Sequence, residues 1–194
     1  NGILKDMHFE QCNDGTTHKT TTRVGYPTAY WRLYNRGVPK SKSQTTNITD
    51  HTAMLEARSE IDKDLVDINA NPAEYRFSED IAFMSAMNNQ MAETLFYGDA
   101  NKPESFVGLT PRFNKLSTDA KNAGSHIIDA GGGSATDLTS IWFIGHGPRT
   151  VHGLYPRGSK AGFSHEDKGV QTVYDDDKNP FDAYVSKFTW KNGL

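Results

Sequence analysis

A chain of 194 residues with a hydrophobic fraction of 36% and a net charge of −3 has the length for one real core, yet is short of apolar residues for a compact globule. That balance points to apolar burial between chains and gives no global pull toward nucleic acid. A single cysteine, Cys12, excludes a disulfide framework and fits a reducing compartment; no apolar run approaches a membrane span, and no signal-peptide pattern opens the chain.

Charge is distributed very unevenly. Between Gly15 and Thr49 stand six basic residues, Lys19, Arg23, Arg32, Arg36, Lys40 and Lys42, and no acid; between Asp50 and Glu104 stand twelve acids and four basic residues. The chain opens on Asn1 instead of Met and stops at Trp190-Lys191-Asn192-Gly193-Leu194 within an expected strand, so both ends are expected to be cuts in a longer protein.

Residues 1–14 carry Ile3, Leu4, Met7 and Phe9, too few to fold alone, and read as an arm that packs on another surface. From Thr16 to Thr28 the chain is rich in Thr, Val and Tyr, and strand character resumes through Ala29–Tyr34 before turn chemistry at Asn35-Arg36-Gly37-Val38-Pro39. A second extended run, Ser43–Ala57, completes a long polar hairpin over residues 15–58. Such a hairpin is marginal in isolation. Three readings stay open: a basic ribbon laid over the acidic region of a neighbouring copy, a nucleic-acid strand bound by Arg and Lys interleaved with Tyr30, Trp31 and Tyr34, or a solvated hairpin whose charges serve solubility.

The spacing Ile61, Leu65, Ile68 predicts a short helix between Ser59 and Asn69. Its acids, Glu60, Asp62, Asp64 and Asp67, lack the order of a calcium loop and read as an exposed acidic face, a counter-surface for the hairpin. One long helix follows over Asn71–Gly98: Asn71 caps, Pro72 takes the first helical position, Glu74 reaches back, and Gly98 ends it in the left-handed conformation. Phe77, Ile81, Met84, Met91 and Leu95 form its apolar face, with Asn88 a polar gap. At about 40 Å it is longer than a small compact domain needs. It reads as a strut for a subunit whose other contacts lie on its neighbours.

Phe106, Val107, Leu109 and Phe113 anchor the next segment around Gly108 and Pro111. Ser117–Asn122 has the makings of a turn or two of helix, Ile127–Ile128 of a short buried piece. Ala130-Gly131-Gly132-Gly133-Ser134 lacks the ending of a phosphate loop and reads as a connector. Thr139–Gly145 is the clearest buried strand, returning through Arg149–Tyr155 after His146-Gly147-Pro148. Two more strands, Gly169–Tyr174 and Phe181–Trp190, are joined by a solvated turn at Asp175–Pro180. The layout is α+β: hairpin, long helix, then an antiparallel meander.

Little here points to chemistry. His146 and His152, with His165 beyond and Asp129 or Asp167 as partners, match no metal-ligand spacing, and no Gly-x-Ser-x-Gly elbow occurs, so neither a catalytic site nor a cofactor is expected. A hydrolase using His146 and His152 is the weakest of the functional readings.

In order along nearly the whole chain, several blocks resemble the major capsid proteins of short-tailed double-stranded DNA phages. They are Thr16–Thr28, Met54–Ala57 through Asp62–Leu65, Thr94–Gly98, Glu104–Phe113, Thr139–Phe143, Gly153–Ser159 and His165–Gly169. The resemblance implies the HK97-like capsid fold: an N-terminal arm (1–14), an extended loop (15–58), a short helix plus spine helix (59–98), and peripheral strands (99–194), cut before the axial domain. It implies a virion protein assembled in the host cytoplasm, whose partners are other copies of itself, with decoration or cement protein, portal, scaffold and non-specifically held DNA around them. No residue matches the cross-linking positions of a distant branch of that fold. A nucleic-acid-binding protein using the basic hairpin is the alternative.

Overall fold

The computed structural model describes residues 2–119, 123–131 and 138–194. Helix α1 (Gly2–Asp6) and strand β1 (Phe9–Gln11) open the chain; β2 (Thr17–Gly25) and β3 (Gln44–His51) follow, then β4 (Ala53–Asp62), α2 (Lys63–Asp67) and the long α3 (Pro72–Tyr97). Beyond it lie α4 (Leu109–Arg112), a single 3₁₀ turn at Ala123–His126, and strands β5 (Gly153–Tyr155), β6 (Phe163–Tyr174) and β7 (Pro180–Asn192). The strands form an antiparallel sheet in the order β4-β7-β6, the ribbon β2-β3, and a parallel pair β1-β5.

Helix α3 starts as its sequence dictates. The Asn71 side chain accepts the Glu74 N–H at 3.3 Å, Pro72 stands in the first turn, and the Asn71 amide donates to Glu74 Oε2 at 2.9 Å. Its twenty-six residues span about 39 Å.

The other end differs from expectation. Gly98 has φ −53° and ψ 124°, a conformation open to any residue, so handedness does not require glycine here. Crowding does: a Cβ on Gly98 would meet the Phe106 carbonyl oxygen head-on and lie 2.7 Å from the Thr94 oxygen, while one on Gly108 would lie 2.6 Å from Gly98 N. The two glycines bring main chain against main chain, joined by Gly108 N–H donating to Gly98 O at 2.9 Å.

The buried face of α3 is also rotated from the expected one. Asp80, Met87, Met91 and Leu95 are buried, whereas Phe77 and Ile81 are 60% and 43% exposed. Over its first half the helix meets its own sheet, with Ile81 and Met84 bordering an open cleft against Phe163 and Trp190. There Phe83 stacks on Phe188 of β7 at 6.2 Å, Phe188 stacks on Phe163 and His165 of β6, and Asp80 accepts from Ser186 Oγ at 3.2 Å. The main core lies at the C-terminal half of α3, where Met91 and Leu95 join Met7, Phe106, Leu109 and Leu194. The arm thus packs against the core of its own chain, through Ile3, Leu4, Met7 and Phe9.

Two strand assignments shift. Residues 53–62 alternate in burial with period two, ending on buried Ser59 and half-buried Ile61, and belong to β4; the expected helix from Ser59 shrinks to the five residues of α2. Thr139–Gly145 is not a strand: Ile141 and Phe143 are 80% and 96% exposed, while Trp142 and Ile144 pack on the core. Likewise Ile128 is exposed, and of Arg149–Tyr155 only the last three residues are strand. The strands at the C-terminal end hold and are longer than expected, with Asp175 Oδ1 accepting Asn179 N–H in their turn. The expected helix at Ser117–Asn122 and connector at Ala130–Ser134 lie partly outside the described residues.

Candidate assembly surface

Threonine-rich β2 pairs with β3 from Thr17↔His51 to Gly25↔Gln44, and no third strand joins them among the described residues. The polar, β-branched composition forms strands without an apolar face, and all of β3 but its last two residues is exposed. Residues 26–43 form a tip outside the ladder, with one turn around Tyr34-Asn35. The sequence placed strand character through Tyr34; the structure ends β2 at Gly25, just before Tyr26-Pro27. Proline offers no N–H to continue the ladder.

The root of the ribbon is fixed. Thr52 donates through both its N–H (2.9 Å) and Oγ1 (3.0 Å) to Thr16 O, and His51 Nε2 lies 3.1 Å from Ser105 O. Asp50 receives Arg112 Nη2 at 2.7 Å, and the same guanidinium donates to the Leu194 main-chain oxygen at 2.9 Å. Arg112 thereby ties β3, α4 and the segment after β7 together.

The tip is bare. Trp31 is 104% exposed, Tyr34 93%, Tyr26 87% and Leu33 71%. Of the six basic residues, Lys19 near the root pairs with Asp14 at 2.7 Å, and its ammonium holds that carboxyl below the usual carboxylate range. Arg32 donates to the Arg36 carbonyl. Arg23, Arg32, Arg36, Lys40 and Lys42 meet no carboxylate among the described residues, and all are exposed. Five of the six cations therefore have no ion-pair partner in their own subunit among the described residues.

Of the four acids of the expected counter-surface, all are exposed, but two have local work. Asp62 caps α2, accepting from the N–H of Asp64 (2.8 Å) and Leu65 (3.3 Å). Asp67 pairs with Lys63 at 2.8 Å, which lowers its pKa, and accepts from Tyr184 Oη. Glu60 and Asp64 have no ion-pair partner among the described residues. No ion pair joins these acids to the six cations among the described residues.

The histidines first considered for a metal do not gather. His165 stands on β6 against Phe188 and 3.9 Å from Asp80 Oδ2, while His152 faces Glu10 and His18. Sequence patterning also missed an exposed apolar set, Ile68, Phe77, Ile128, Ile141 and Phe143, because exposure cannot be read from periodicity. The accessible area totals 14121 Å². A compact monomer of 21.6 kDa exposes about 9,200 Å², so this subunit displays roughly half as much again.

Comparison with known proteins gives this geometry a context. The sequence profile of a family described as major capsid protein GP7 matches residues 1–194. Among solved structures, a chain of bacteriophage Epsilon15 is 31% identical with a TM-score of 0.68; the match covers 100% of the present chain and 58% of that one. A chain from Mycobacterium phage Cain is 11% identical with a TM-score of 0.55 over 99% of this chain and 82% of that one. Mycobacterium phage Adephagia gives 11% identity, a TM-score of 0.50, and coverage of 99% and 83%. No curated protein sequence matches. The present chain therefore spans little more than half the length of the Epsilon15 chain.

Proposed function

This chain belongs to the major capsid protein GP7 family, and from that premise we propose that the protein carrying it self-assembles into the shell of a phage head through the surfaces described above. The fold is of the HK97-like capsid type, α+β, and the family is one of structural virion proteins. The supporting observation is the surface excess: an area about half again that of a compact monomer, with a cationic, aromatic ribbon tip among its exposed parts. An arm, an extended loop, a spine helix and a peripheral sheet correspond in this reading to residues 1–14, 15–58, 59–98 and 99–194.

The ribbon reaches a neighbouring copy. Lys19, Arg23, Arg32, Arg36, Lys40 and Lys42 supply its positive charge, and Glu60, Asp62, Asp64 and Asp67 the acidic surface opposite. Asp62 and Asp67, already engaged at α2, contribute field more than new ion pairs; Glu60 and Asp64 are the free partners. Trp31, Tyr26 and Tyr34 supply the apolar contact, since aromatic anchors dominate interface energetics while exposed charges steer and select. DNA, decoration protein, portal and scaffold are further partners of the whole shell. Electron microscopy of the purified full-length protein tests the proposal. Closed shells are expected; a stable monomer under every assembly condition refutes it.

A further inference from the structure

At the root of the ribbon, three side chains converge: Glu10 of β1, His18 of β2, and His152 just before β5. One ligand atom from each lies within 4.8 Å of the others. The geometry points to a transition-metal site at which Glu10, His18 and His152 hold a divalent ion of zinc type, fastening the arm to the root of the ribbon.

The histidine donors are set up for this. His152 Nδ1 lies 2.9 Å from the Thr150 carbonyl oxygen, so Nδ1–H donates there and the Nε2 lone pair is left facing inward. Fixing the tautomer through the far ring nitrogen is how metal-bound imidazoles are held. Nε2 lies 4.0 Å from Glu10 Oε2. The His18 ring meets that of His152 edge to face at 6.0 Å. His18 is only 8% exposed, and its Nδ1 is buried with no hydrogen-bond partner, although an orphaned polar atom of this kind carries a desolvation penalty. An ion accepting that lone pair removes the penalty.

Two imidazoles and one carboxylate select a borderline-soft ion such as Zn²⁺ over Ca²⁺ or Mg²⁺, which prefer all-oxygen shells. Ligand atoms on one tetrahedral zinc stand about 3.3 Å apart. Closing the triad needs a modest swing of Glu10, whose side chain is 31% exposed and whose other oxygen lies 3.4 Å from His8 Nε2. A water fills the fourth position. His18 and His152 line a cleft of about 590 Å³ together with Thr20, Asp50, Arg112 and Arg149, which gives an ion a way in.

Full-length protein, stripped with chelator and titrated with zinc sulfate by calorimetry, tests the site. One zinc per chain is expected, retained through gel filtration, with cobalt(II) giving the visible bands of a four-coordinate ion. Glu10→Gln and His152→Ala should each weaken binding at least about tenfold, while His165→Ala leaves it unchanged. Glu10→Gln preserves shape and decides the matter if His152→Ala misfolds. Failure to retain zinc, or equal retention by Glu10→Gln, overturns the assignment. Both outcomes stand apart from shell formation, which is scored separately by microscopy.

Discussion

Replacing Trp31 with alanine separates what holds the subunit together from what joins subunits. Trp31 is completely exposed and packs on nothing in its own chain, so its removal should leave unfolding free energy within about 0.5 kcal/mol of wild type. A tryptophan side chain offers about 150–250 Å² for burial. At about 25 cal/mol per Å², full burial on a neighbour contributes some 4–6 kcal/mol, and half burial about 2–3 kcal/mol. The latter corresponds to a rise of about 30- to 150-fold in the concentration needed for assembly. Light scattering against protein concentration gives that threshold, and urea titration of unassembled subunits gives the stability. An unchanged threshold, or a loss of subunit stability comparable with the assembly defect, would refute the reasoning.

Neutralising Arg23, Arg32 and Arg36 together to Gln should weaken assembly at low salt and converge on wild type near 1 M salt, where screening acts within about 3 Å; sedimentation across a salt series reads this. Wild-type assembly by the triple variant at low salt would sink the account of the ribbon. Leu95→Ala empties part of the main core and should cost about 2–5 kcal/mol in subunit stability by urea titration. Gly98→Ala drives a methyl into the Phe106 carbonyl and should lower stability by about 2–4 kcal/mol, whereas a helix-ending glycine held only by conformation would lose less than about 1 kcal/mol. The Arg76 guanidinium, 2.9 Å from Asp167, and then the Gly169 N–H hold the Asp167 carboxyl below its usual range. Because that folded pKa is depressed, the contribution is present above the unfolded value near pH 4 and fades as pH falls through the folded one. Arg76→Met should flatten the urea midpoint's dependence on pH below about 4, with the effect small because Asp167 is half-exposed.

What the sequence made legible was local. Asn71, Pro72 and Glu74 act within one turn of each other, so the start of α3 could be read residue by residue. The face of α3 could not. Phe77 stands five whole turns from Leu95 and so shares its face, and periodicity cannot tell that one end of a stripe is covered while the other is exposed. The expected strand at Thr139–Gly145 failed for a related reason: Ile141–Ile144 is apolar at every position, which hides which residues are buried, and here Trp142 and Ile144 alone turn inward. The parallel pairing of β1 with β5, and with it the meeting of Glu10, His18 and His152, joins segments more than a hundred residues apart. The basic character of residues 15–49 was visible at once, because charge needs no partner to be read.

Among the described residues, no neighbouring strand covers either outer edge of the ribbon β2-β3. Near the root the Asn13 side chain pairs with the N–H and carbonyl of Lys19, and beyond it the edges have no strand to pair with. Such edges can template pairing with any extended chain nearby. Threonine, asparagine and lysine along them keep casual pairings weak, since little apolar surface is gained by a mistake. If the protein assembles as proposed, subunits made faster than they are consumed would leave these edges exposed longer, and aggregation would compete with shell growth.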